Sequence, residues 1–165
     1  MAYKNKIYIA FDGDNDIRYY DLMLAWKAQN DDFNFYNAHD LHTASDSSKE
    51  ESIKASLRDR FANSKMFILI IGEHTKYLTK FVKWEIETAI RLKLPIVAVN
   101  INKSRISDEL CPPILKNQLA IFVPFEKKIV KLAINTWSEN DKNYRKKGEI
   151  SNFYYKGSVY KDLED

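Results

Sequence analysis

Met66-Phe67-Ile68-Leu69-Ile70-Ile71-Gly72 is an unbroken apolar run closed by a glycine, the pattern of a strand buried on both faces and central to a sheet. On its C-terminal side, apolar positions recur at helical spacing from about Lys80 to Lys93. Pro95 then introduces a second apolar strand, Ile96-Val97-Ala98-Val99-Asn100. On its N-terminal side, Ile53, Leu57 and Phe61 line one face of a helix, opened by Ser47 and Glu50 at capping-box spacing. Before the polar loop Asn37 to Ser48 stand a short strand, Phe33 to Tyr36, and a helix from Asp16 to about Gln29, with Asp14 or Asp16 available as N-cap. The strand Ile7-Tyr8-Ile9-Ala10-Phe11 comes first and stops at Asp12-Gly13-Asp14-Asn15-Asp16. Beyond the irregular segment Lys103 to Pro113, Leu119 to Val123 reads as a fifth strand and Lys127 to Trp137 as a last helix. Strands alternating with helices require a parallel sheet covered on both faces, and right-handed crossovers favour the order 2-1-3-4-5. Ligands of such sheets bind beyond the carboxyl ends of the strands, near the switch between strands one and three.

The chain has 165 residues, enough for one domain and its core. We expect the core domain in residues 1–137, and in 138–165 a polar, Tyr-containing C-terminal extension without clear periodicity. With 45% hydrophobic and 30% charged residues and only four Gly and four Pro, the composition excludes collagenous and low-complexity classes. A net charge of +3, spread along the chain, does not describe a nucleic-acid-binding face. The single cysteine, Cys111, permits no intramolecular disulfide or cysteine zinc cluster, and the first apolar run is too short for a membrane span or signal core. The expected setting is cytoplasmic, away from membranes.

Two acids on the helix of residues 80–93 have different surroundings. At about 100° per residue, Phe81, Val82, Ala89 and Leu92 fall within about 60° of Glu85, so Glu85 faces inward. Glu87 lies opposite, with Lys83 and Arg91 four residues away on either side, as on a solvated face. Glu85 has no cation within reach on its own helix. A buried carboxylate is costly alone, so it either meets a partner elsewhere in the fold or points into a polar cleft. The ordinary alternative to catalysis is a tertiary hydrogen bond.

The stretch Lys83-Trp84-Glu85-Ile86-Glu87-Thr88-Ala89-Ile90, followed by Leu94-Pro95-Ile96-Val97-Ala98-Val99, resembles the helix and strand around the catalytic glutamate of Toll/interleukin-1 receptor (TIR) domain NAD hydrolases. In particular it resembles bacterial TIR-like proteins of the Thoeris anti-phage type, over residues 5 to about 137. The resemblance implies a flavodoxin-like, three-layer α/β fold with a five-stranded parallel sheet. It implies that Glu85 is catalytic in cleaving the nicotinamide glycosidic bond of NAD+, with rejoining of the ADP-ribose to make a cyclic signal in some members. NAD+ is then a substrate and no cofactor or metal is required. The implied partners are NAD+, a separate effector that senses the nucleotide product, and further copies of the chain.

Candidates for substrate contact are Phe11, Asp12 and Asn15 at the exit of strand one, Asp40 in the loop after strand two, His74 after strand three, and Trp84 beside Glu85. Each has a plainer role: turn formation and helix capping for Asp12 and Asn15, core packing for Phe11 and Trp84, solvation for His74. The loop Asn37 to Ala44 stands where many TIR domains carry their interaction loop, yet lacks Pro and Gly. His39, Asp40 and His42 do not identify a third metal ligand, so a polar loop is the better reading.

Two other functions fit the same pattern. One is a non-catalytic TIR signalling or scaffold module; the other is a nucleoside deoxyribosyltransferase, which also sets a glutamate at a glycosidic carbon. The stretch Ile70-Ile71-Gly72-Glu73 offers no aspartate at the end of strand three, which argues against a phospho-receiver, and the four glycines of the chain cannot write a Walker A or GxGxxG loop. Three carboxylates after strand one disfavour FMN.

Overall fold

The computed structural model describes residues 5–29, 35–36 and 50–164, with Phe35, Tyr36 and Glu50 described in backbone only. Among them, the strands are β1 (Ile7–Ala10), β2 (Phe35–Tyr36), β3 (Met66–Ile71), β4 (Ile96–Asn100), β5 (Ala120–Pro124) and β6 (Asn152–Tyr154). The helices are α1 (Ile17–Gln29), α2 (Glu50–Ala62), α3 (Val82–Arg91), α4 (Lys127–Lys146) and α5 (Gly157–Glu164). The strands form one sheet in the order β2-β1-β3-β4-β5-β6, with every neighbouring pair parallel. The order expected for the first five strands is present, and β3 is interior. The expected count of five is corrected to six among the described residues, because Asn152–Tyr154 adds a further edge to β5.

The boundary expected near residue 137 falls inside α4, which continues to Lys146. Its buried line Ile134, Trp137 and Asp141 keeps helical spacing, but the third member is an acid, so the stretch reads as polar in sequence. The Arg145 guanidinium meets the Asp141 carboxylate at 2.8 Å and offsets that burial. The Ser47 end of the expected capping box, Phe33, Asn34 and the loop with His39, Asp40 and His42 lie outside the described residues.

Alternation along the strands divides the core. Ile7, Ile9, Phe11, Ile68, Ile70, Val97 and Val99 pack beneath α1 and α4. Tyr8, Ala10, Phe67, Leu69, Ile96 and Ala98 pack beneath α2 and α3. A one-residue step along β1 therefore exchanges one helical layer for the other, and this decides which groups can meet Glu85.

Candidate functional site

α3 turns five side chains into the core, Val82, Glu85, Ile86, Thr88 and Ala89; of the four residues expected around Glu85, Val82 and Ala89 are buried, whereas Phe81 is half-buried at the N-cap and Leu92 is not buried. The helix ends at Arg91, and Leu92 is left 45% exposed. Glu85 is 0% exposed. Across the interface, the Tyr8 hydroxyl of β1 donates a hydrogen bond to Glu85 Oε2. The carboxyl thus meets a tertiary partner, one of the two fates open to it.

Desolvation raises the Glu85 pKa from 4.5 to about 8, and the Tyr8 hydrogen bond acts against that rise. Tyr8 is itself 0% exposed, and its phenol is raised well above its ordinary range, first by burial and then by the charge of Glu85. Tyr8 therefore remains a donor. Its ring lies 3.8 Å from that of Phe61, nearly parallel, so the hydroxyl is held by stacked aromatics of α2 and β1.

Trp84 is half-buried and turns toward α2, edge-on to Phe61 at 6.1 Å. Lys54 Nζ and Arg58 Cζ lie 5.7 and 5.8 Å from its ring centre, within cation–π range. The aromatic and its cations tie α3 to α2 beside Glu85.

The residues at the exit of β1 form a second group. Asp12 is 2% exposed, and its carboxylate accepts hydrogen bonds from the Asp14 and Asn15 backbone amides and, at 2.7 Å, from Asn15 Nδ2. These bonds close the turn that launches α1. Phe11 stacks on Tyr20 of α1 at 4.7 Å, on the face of the sheet opposite Glu85. Strand alternation separates them. His74 is exposed, at the start of the 3-10 turn Thr75–Tyr77. Asp40 lies outside the described residues.

Asp16, read in the sequence only as an N-cap, is the residue that reasoning missed here. It is 5% exposed, and among the described residues its Oδ2 has no hydrogen-bond partner. Burial raises its pKa to about 6; the Asp12 charge adds to the rise and His74 opposes it. Gly72 makes the room, since a Cβ there would stand 2.2 Å from Asp16 Oδ2. An aspartate near a strand exit and a glycine ending the next strand in the sheet were the available signals. Asp12, Asn15, Asp16 and His74 thus gather at the carboxyl ends of β1 and β3, the switch point of the sheet.

Chemically, the two groups differ. The rim cluster has acids and an imidazole at the mouth of the crevice, whereas Glu85 and Tyr8 supply one enclosed carboxyl with a fixed donor. A groove of about 150 Å³, lined in part by Leu78, Lys83, Ile86 and Pro112, borders α3 but does not include Glu85. Among the described residues, no three His, Cys, Asp or Glu side chains form a metal-binding group, and no helix is long and apolar enough to cross a membrane. Residues 8–106, from within β1 to beyond β4 and including all of α3, match the family model described as Thoeris protein ThsB, TIR-like domain.

Proposed function

The chain belongs to the Thoeris ThsB TIR-like family of anti-phage defence modules, and from that premise we propose that it cleaves the nicotinamide N-glycosidic bond of NAD+ with Glu85 as the catalytic residue. The observation that carries the reading is an acid that α3 turns into the core, within the matched residues and 0% exposed.

The chemistry asks little beyond one carboxylate. The glycosidic C–N bond breaks with its electron pair passing to the pyridinium nitrogen, so nicotinamide leaves neutral and no general acid is needed. The ribose carbon develops oxocarbenium charge, which an ionised Glu85 stabilises while accepting hydrogen bonds from ribose hydroxyls. Water then adds and releases a proton, giving ADP-ribose; attack by a nucleophile of the same ADP-ribose gives a cyclic product instead. A separate effector that senses this product is the downstream partner in this reading.

Glu85 is protonated below about pH 8 when the site is empty. The positive charge of the nicotinamide ring changes that balance, because an opposite charge within about 4–6 Å lowers a carboxyl pKa by roughly 1–3 units. Binding of the cationic substrate therefore favours the ionised form that the reaction needs.

A scaffold module is the second reading, favoured by the same enclosure: a fully buried acid with a tertiary hydrogen bond also suits a purely structural role. Mass spectrometry of NAD+ incubated with wild type and Glu85→Gln separates the two. The enzyme reading expects nicotinamide and an ADP-ribose product from wild type, and a loss of at least about 100-fold in the variant. Equal rates in both proteins, or no nicotinamide at high protein concentration with and without phage-derived stimulus, would sink it.

A further inference from the structure

Resting on the reading of Glu85 as the catalytic residue, we propose that Tyr8 is its positioning residue, a buried hydroxyl that fixes the carboxyl against β1 and favours its ionised form. Tyr8 is fully enclosed in an aromatic layer, stacked on Phe61 and 5.9 Å from Phe67. A phenylalanine would fill that layer as well, and the phenol's polar atom is costly to bury without a partner. Its partner is the one acid that α3 turns inward. A hydroxyl of β1 and a carboxyl 77 residues later meet through the fold alone.

Among the described residues, the charged groups nearest the pair lie on α2 and α3. From α2, Arg60 acts on the Tyr8 phenol, while Lys54 and Arg58 lie over the Trp84 ring. On α3, Lys83 and Glu87 are exposed on the outer side. β3 contributes Phe67 and Leu69, which are apolar. Burial drives the Glu85 carboxyl toward its neutral form, and the Tyr8 donor opposes it. A donated hydrogen bond is stronger to a carboxylate than to a neutral acid, so it selects the charged form. It also fixes one carboxyl oxygen, and with it the direction of the other.

The test is a 13C NMR titration of the Glu85 side-chain carboxyl in the full chain, with the signal assigned by its loss in Glu85→Gln. In Tyr8→Phe, the midpoint is expected to rise by about one to two pH units. The acid limb of the kcat/KM profile for NAD+ moves up in parallel, and kcat/KM at neutral pH falls about ten- to a hundredfold, recovering as pH is raised. Placing 3-fluorotyrosine at position 8 keeps the ring and strengthens the donor, so the midpoint moves down. This second protein decides the matter if Tyr8→Phe does not fold. A midpoint unmoved by the altered donor overturns the proposal. Wild-type protein that releases no nicotinamide overturns the NAD+ reading instead, and the NMR titration, which needs no turnover, tells the two failures apart.

Discussion

Burial sets the proton on Glu85, and that proton leaves a signature in stability that does not depend on any reaction. The folded pKa of about 8 lies above the ordinary value of 4.5, so between those limits the native state holds a proton that the unfolded chain has released. Stability contributed by this group is therefore present at low pH and is lost as pH rises from about 4.5 to 8. Glutamine has nearly the same shape and can accept the Tyr8 hydrogen bond through its amide oxygen, yet it does not titrate. Glu85→Gln should thus gain on wild type as pH increases. The relative gain between pH 5 and pH 8 is roughly 2–4 kcal/mol, at about 1.4 kcal/mol per pH unit for one proton. Urea unfolding of both proteins at the two pH values measures it. A difference that stays constant with pH would mean that Glu85 is already ionised when the site is empty.

Two helix ends of the same geometry differ in the residue they use, and that difference is measurable. After α3, Lys93 has φ of 56°, its amide donates to the Ile90 carbonyl, and the Leu94 amide donates to that of Ala89. After α4, Gly148 has φ of 73°, with the matching bonds from Gly148 to Arg145 and from Glu149 to Tyr144. Both are Schellman closures, which place one residue in the left-handed region. Lysine is strained there and glycine is not. Lys93→Gly is expected to stabilise the fold by about 1 kcal/mol, and Gly148→Ala to cost about the same. No atom lies within 4 Å of a Cβ added at Gly148, so its cost is conformational rather than steric. Denaturant midpoints that move together, or not at all, would contradict this. The same ends show what was legible in the sequence. Hydrophobic periodicity placed α3 and turned Glu85 inward, because those depend on neighbours three and four residues away. The closure at Lys93 was hidden, since no glycine marks it. Tyr8 was hidden for a different reason: β1 is apolar on both faces, and only pairing with its neighbours reveals that its one hydroxyl faces α3. The strand exit at Phe11 suggests a place in the site, but alternation sends the ring to the opposite layer.

Over the whole molecule, the family match ends at residue 106, yet the sheet does not. β5, α4, β6 and α5 follow it. β6 covers the edge of β5 with the register Ala120 to Asn152, Ile121 to Phe153 and Phe122 to Tyr154. Behind it, Phe153 stacks on Tyr144 at 4.1 Å and lies 5.9 Å from Trp137, which is 1% exposed. Tyr160 of α5, 5% exposed, packs into the same layer beneath the Arg105 guanidinium, 3.9 Å from its ring. Cutting the chain after Trp137 would remove Tyr144, Phe153 and Tyr160 together and leave β5 as an open edge. Full burial of a large apolar side chain contributes about 1.5–3 kcal/mol, and half-burial a part of that, against a total stability of about 5–15 kcal/mol for a domain. Losing buried Tyr160 together with half-buried Tyr144 and Phe153 takes a large share of that margin before the halved α4 is counted, and an unpaired apolar edge invites association. We therefore expect residues 1–137 to lack a cooperative thermal transition and to self-associate, while residues 1–164 unfold in a single transition. Scanning calorimetry with light scattering on the two chains checks this. A monomeric 1–137 chain that melts within a few degrees of the longer one would show that the last strand and helix only decorate a core complete without them.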